Sequence, residues 1–412
     1  MLDEGDGPDR SYRLLVEAER LARTINTPSV GHPAGFQSWS LKEVVTTLAL
    51  INPGEAERVA RTITAPQCQA EALVEVADAL WEAEPLRARV LLADAERVSQ
   101  AIGPHEGFLR GRILVRAAEL LARMDPGDAE RLARATNKPT VCRVEALTKV
   151  AGVLVEADAG RARMLFADAE TIARTLDHEQ ERALAWIAGG MARLDADEAE
   201  RLARTIPDPY AQGRALREVT RALTERDVDT AERLARTITD PLRQAQALEV
   251  TAAALATAAP QRARKMLTDA ERLARTIHQP WYRARTLVRV ADTLAEVDPE
   301  QARRLIADAE RFLSTEHHSS PVLEDAAKML TKVDPREAER LAQAIPEPRH
   351  RAKALKKVAE EVARTDPNDA ERIAHTIAPG RSRIQTLVGI AVARALAVHV
   401  HRPVEGEDER SV

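Results

Sequence analysis

Residues Ala199 to Ile206 read A-E-R-L-A-R-T-I, and this eight-residue phrase returns along almost the whole of a 412-residue chain. Copies or close variants begin at Ala18, Ala56, Ala95, Ala129, Ala169, Ala199, Ala231, Ala270, Ala309, Ala338 and Ala370, in steps of 29 to 40 residues. Recurrence at this period marks a repeat architecture, in which each unit buries its apolar side against its neighbours. The expected fold class is all-α: a right-handed α-solenoid of about eleven helical-hairpin repeats of 30–40 residues. Residues 11–402 are expected to form a single array, between a disordered acidic N-terminus (1–10) and a disordered acidic tail (403–412).

The segment from Pro241 to Ile277 shows the unit. Ala245, Leu248, Ala252 and Leu255 form one apolar stripe at helical spacing, and after Pro260 a second runs through Ala263, Leu267, Ala270, Leu273, Ala274 and Ile277. Asp208-Pro209 and Asp240-Pro241 precede first helices, while Asp298-Pro299, Asp334-Pro335 and Asp366-Pro367 precede second helices. An Asp N-cap accepts from orphan backbone N–H groups, and Pro at the first helical position lacks a donor that would go unused. Within the phrase, Glu200 and Arg204, Glu232 and Arg236, and Glu271 and Arg275 stand four apart, as in a solvated helix face. Second helices come in two lengths. Three residues separate Pro from the phrase in Pro53–Ala56 and Pro126–Ala129, against ten in Pro85–Ala95 and Pro260–Ala270. The extra two turns predict an uneven outer edge.

Hydrophobic residues make up 44% of the chain and aromatics only 3%, so the core is expected from Ala, Leu, Val and Ile. A net charge of -5 and a pI near 6.1 argue against a nucleic-acid or anionic-membrane binder. The two cysteines, Cys68 and Cys142, read as buried thiols in a reducing compartment. Met1–Arg10 lacks a basic, then apolar, leader, and no apolar run is long enough to span a bilayer, so a cytoplasmic protein is expected.

The spacing and small–large alternation of Leu287, Ala291, Leu294, Asp298-Pro299, Ala302, Ile306 and Ala309 resemble the tetratricopeptide repeat, over most of residues 11–399. The usual aromatic positions of that family hold Ala, Leu or Val here, which is equally similar to HEAT-like stacking. Either resemblance implies a curved array whose first helices line a concave face and hold a peptide or protein.

Candidate site residues lie where repeats differ. With first helices aligned on a Leu-x-x-Val-Ala-x-x-Leu stripe, three positions share one outward face. They hold Glu71, Val74 and Asp78 early, then Arg214, Arg217 and Arg221, then Arg285, Val288 and Asp292, then Lys353, Lys356 and Glu360. This increasingly basic track suits acidic side chains or a carboxylate. Trp186 stands where other repeats carry Glu75, Glu218, Arg289 or Lys357; with Arg182, Gly189 and Gly190 beside it, a partly exposed hot spot in a shallow depression is expected. Two glycines inside a helix imply close approach by a ligand or by a neighbouring helix.

Thr27–Ser40 reads as a long loop, and Ser314–Pro321 as a hinge before a first helix shortened by about five residues. No phosphate loop, H-E-x-x-H, paired C-x-x-C or nucleophile elbow occurs, so no cofactor, metal or catalytic residue is expected. The expected function is a noncatalytic scaffold or sensor whose partner is a protein or peptide of acidic character. A nucleic-acid binder using the Arg/Lys stripe and a self-associating regulatory array are the alternatives.

Overall fold

The computed structural model describes residues 7–24, 35–136, 140–313, 320–331 and 333–377, together with 383, 386 and 387. Among these are 21 α-helices, one 3-10 turn and no strand. The chain divides into two compact units, residues 29–322 and a unit made of 1–28 with 323–412, where a single array was expected.

The larger unit alternates first and second helices. First helices are α2 (Gly35–Ile51), α4 (Pro66–Leu80), α6 (Gly107–Leu121), α8 (Thr140–Leu154), α10 (Gln180–Met191), α12 (Pro209–Leu223), α14 (Pro241–Leu255) and α16 (Pro280–Leu294). Second helices are α3 (Pro53–Arg61), α5 (Pro85–Ser99), α7 (Pro126–Ala135), α9 (Ala159–Ala173), α11 (Ala196–Arg204), α13 (Val228–Thr237), α15 (Pro260–Thr276) and α17 (Pro299–Leu313). Each of these first helices packs on its own second helix, and each from α2 to α14 packs also on the next first helix. The smaller unit holds α1 (Gly7–Thr24), most of α18 (Ser320–Thr331), α19 (Pro335–Ala344), α20 (Pro348–Val362) and α21 (Pro367–Thr376).

The caps form as the Asp-Pro pairs require. Asp208 accepts from the Ala211 N–H at 2.7 Å, Asp240 from Arg243 at 2.8 Å, and Asp334 from Glu337 at 3.1 Å. Where proline is missing, Asp158, Asp195 and Asp227 cap α9, α11 and α13 in the same way. The stripes close a core of small side chains, and Ala245, Leu248, Ala252 and Leu255 are all buried. Phe166 on α9 is the bulkiest of the fully buried side chains.

Several boundaries differ from expectation. Residues 7–10, expected to be disordered, form the first turn of α1. Residues 35–40, including Trp39, belong to α2 rather than to a loop, because Gly35 at φ +67° turns the chain into the helix. Ser320 and Pro321 open α18, whose 12 residues make it three shorter than the usual 15. Residues 314–319 and the tail at 403–412 lie outside the described residues.

The repeated phrase is more than a solvated face. Its Glu carboxylates at 57, 130, 200, 232 and 271 have side chains only 11% to 18% exposed. Each accepts from the Arg four residues on and also from a side chain about 30 residues on, in the next repeat. Where the next second helix is long, the second donor comes from its first turn: Arg87 to Glu57 at 2.8 Å, Arg161 to Glu130, Arg262 to Glu232 at 2.7 Å and Gln301 to Glu271 at 2.8 Å. The phrase Arg then reaches the Asp just before the next phrase, as in Arg61–Asp94 at 3.0 Å, Arg134–Asp168 at 3.1 Å, Arg236–Asp269 at 3.0 Å and Arg275–Asp308 at 3.1 Å. Between α11 and the short α13, the phrase's other Arg substitutes, with Arg233 meeting Glu200 at 3.2 Å. The extra turns of long helices therefore carry both halves of an inter-repeat clasp.

Cys68 and Cys142 are free and buried, and burial pushes each thiol up to about 11. Neither is expected to react with a thiol-modifying disulfide reagent at pH 8 within the time that releases both in denaturant, since the thiolate is the reactive species. Stoichiometric labelling of the native protein would contradict this burial.

Candidate functional site

The residue directly after each aligned Leu does not face outward as expected: Val74 is 3% exposed, Val288 1% and Glu249 9%. This position turns toward the adjacent first helix. Arg217 occupies it on α12 and is consequently half-buried, paired with Glu218, with its Nε making no hydrogen bond. Burial, joined by the like charges of Arg243 and Arg289, outweighs the attraction of Glu218 and lowers its pKa. Arg221 also binds Glu218, at 3.0 Å, so one carboxylate answers two residues of the expected basic track.

Arg182 and Trp186 lie together on α10, the guanidinium 4.9 Å from the ring centroid and 2.9 Å from Glu179. Glu179 itself caps α10 at φ +66°, uncommon for a residue with a side chain. Arg182, Arg214 and Tyr210 line a cavity of about 480 Å³ between the N-terminal ends of α10 and α12. Arg214 makes no ion pair among the described residues. Arg285, further along on α16, stacks on Trp281 at 5.2 Å and lines none of the described cavities. Lys353 and Lys356 stand on α20 in the smaller unit, where Lys356 meets Glu360 at 3.6 Å. Five of the eight candidates thus gather on α10 and α12.

Trp186 is half-buried, and the adjoining groove of about 700 Å³ crosses α6, α8, α10 and α12. Its depth comes from Gly152, Gly189, Gly190 and Ala222. The two glycines on α10 answer to neighbouring helices. A Cβ on Gly189 would stand 2.9 Å from Glu218 Cβ on α12, and one on Gly190 would stand 2.9 Å from Thr148 Cγ2 and 3.1 Å from Phe166 Cε1.

The groove's charges are unevenly paired. Lys149 meets Glu119 at 3.4 Å, Arg193 meets Glu156 at 3.4 Å, Arg221 meets Glu218, and Arg123 stacks on Trp81 at 5.2 Å. Glu145 and Glu225 line the same groove with no ion pair or hydrogen bond among the described residues. Sequence reasoning passed over Glu145 because charged residues abound on these helices. Its one signal is its setting in Val144-Glu145-Ala146-Leu147, on a face where both flanking side chains are buried.

Burial raises the pKa of Glu145, only partly opposed by Lys149, Arg112 and Arg182. It does the same to Glu75, which lines a cavity of about 470 Å³ against α2 and α6. A carboxylate with a raised folded pKa stabilises the fold fully below its ordinary value of 4.5, and that contribution is lost as pH rises through the folded value. Glu75→Gln and Glu145→Gln are therefore expected to stabilise the protein at pH 7, each on the order of 0.5 kcal/mol. The gain should vanish near pH 4 in thermal melts; equal or lower stability at pH 7 would refute the desolvation.

Among the described residues, no cluster of three His, Cys, Asp or Glu is placed to hold a metal ion, and no helix is long and apolar enough to cross a membrane. No family model and no curated protein matches the chain. Among solved structures, Ton1535 from Thermococcus onnurineus NA1 is 15% identical with a TM-score of 0.32, over 86% of this chain and 98% of its own. A circular tandem repeat protein with novel repeat topology and enhanced subunit contact surfaces is 14% identical with a TM-score of 0.19, over 95% and 98%.

Proposed function

We propose that the protein is a noncatalytic, cytoplasmic scaffold that binds a protein or peptide along its first helices from α6 to α12. The supporting observation is the groove beside Trp186. It is large enough for several side chains, and it combines a half-buried indole with small residues and fixed charges of both signs. Indoles in such positions anchor protein interfaces.

A nucleic-acid reading has less support, because Arg217 and Arg221 are both engaged by Glu218. Capture of partners on the immobilised protein, at two salt concentrations and with nuclease, separates these readings. Trp186→Ala is expected to weaken the partner by about 2 kcal/mol, roughly 30-fold, without altering the helical content. Unchanged affinity in titration calorimetry would remove the groove from the function.

A further inference from the structure

Resting on that binding function, we propose that the groove receives a cationic side chain, a Lys or Arg of the partner peptide, between Glu145 and Trp186. This is opposite in sign to the acidic partner expected from the basic stripe.

Three observations carry it. Every cation lining the groove already has a carboxylate or an aromatic ring, whereas Glu145 and Glu225 make no direct ion pair or hydrogen bond among the described residues, the charges of Lys149, Arg112 and Arg182 reaching Glu145 only from a distance. Trp186 forms part of the groove wall, while the guanidinium stacked on it lines the neighbouring cavity; a Trp ring attracts cations through its quadrupole. Thr148, 6% exposed, lines the same groove with its hydroxyl lacking any hydrogen-bond partner. A buried polar atom left unsatisfied and a half-buried carboxylate left unpaired are both unfavourable in the free protein. An incoming ammonium or guanidinium, with its several N–H donors, answers the carboxylate and presents a charge to the indole.

Linkage gives the inference a pH signature. The cation binds the ionised carboxylate, and burial holds the Glu145 pKa above its ordinary value. Affinity should therefore fall as pH is lowered through that raised value, earlier than for an exposed glutamate.

The test is selection of phage-displayed random 12-residue peptides on the immobilised full chain, followed by titration of the selected peptides. Four variants are compared: Glu145→Gln, Trp186→Ala, Arg214→Glu, and Glu82→Gln as an exposed carboxylate outside the groove. Circular dichroism and melting establish that each is folded. Expected are Lys- or Arg-bearing peptides that lose about tenfold in affinity with Glu145→Gln and with Trp186→Ala, and keep it with Glu82→Gln. Peptides that need Trp186 but ignore Glu145→Gln, or acidic peptides lost with Arg214→Glu, overturn the cationic inference and leave the binding function standing. If no peptide is enriched, or if the enriched ones ignore both groove variants, the inference and the binding function both fall.

Discussion

Gly190→Val is expected to destabilise the central repeats by about 2 to 3 kcal/mol, because there is no room for the side chain it introduces. A Cβ alone at this position stands 2.9 Å from Thr148 Cγ2 and 3.1 Å from Phe166 Cε1. Phe166 is fully buried and Thr148 nearly so, so relief requires α10 to move away from α8 and α9. Overpacking of this kind costs about 1–3 kcal/mol, occasionally more. Better helix propensity than glycine returns only about 0.5 kcal/mol of it. Gly189→Ala should act in the same direction at the contact with Glu218 Cβ on α12. Since stability in a repeat array is carried by neighbouring interfaces, the loss should be local. Hydrogen exchange is expected to quicken in α8 to α12 while α16 and α17 keep their protection. A Gly190→Val variant with wild-type exchange throughout would mean that α8 and α10 do not approach this closely.

The second large effect concerns the clasp. Replacing Glu57, Glu130, Glu200, Glu232 and Glu271 together by Gln should cost about 1 kcal/mol at each site, roughly 5 kcal/mol in all, because the sites are separate enough to add. Isolated surface pairs would contribute much less. Here each carboxylate is mostly buried and accepts from two repeats at once. The expected result is a large fall in the denaturation midpoint with a broader transition, and a wild-type stability that declines with added salt. A quintuple variant melting within a degree of the wild type would return these charges to an ordinary solvated face.

Acid should mimic the substitution. Burial works to raise the pKa of Glu57, Glu200 and Glu232, but hydrogen bonds from their arginines outweigh it and hold all three below the ordinary 4.5. Their stabilisation is present above that value and lost as pH falls through the depressed one. Glu145 and Glu75 respond with the opposite sign, so acid relieves these two buried carboxylates while it loosens the clasps.

The stripe of Arg182, Arg214, Arg217, Arg221 and Arg285 was legible as a face but not as a chemistry. Helical spacing places such residues on one side, whereas which carboxylate or ring each one takes depends on side-chain placement, even within one helix. Glu218 lies beside Arg217 in sequence and still reveals nothing of its engagement with Arg221 until the side chains are placed. Trp186 was visible as a departure from the repeat. The carboxylate at 145 was not, since its significance lies in burial without a direct ion pair, which no spacing in the sequence reveals.

By itself the sequence determined the helices, their caps, their pairing into hairpins and the composition of the core. All of these depend on interactions within a few residues, such as an Asp accepting from an N–H three positions on or an apolar stripe at 3.6-residue spacing. Only the tertiary structure decided why Gly189 and Gly190 are glycines, which charges are paired, and that a long second helix closes on the previous repeat from its first turn. Those outcomes depend on the distance and register between helices about 30 residues apart in sequence, which a one-dimensional pattern does not contain.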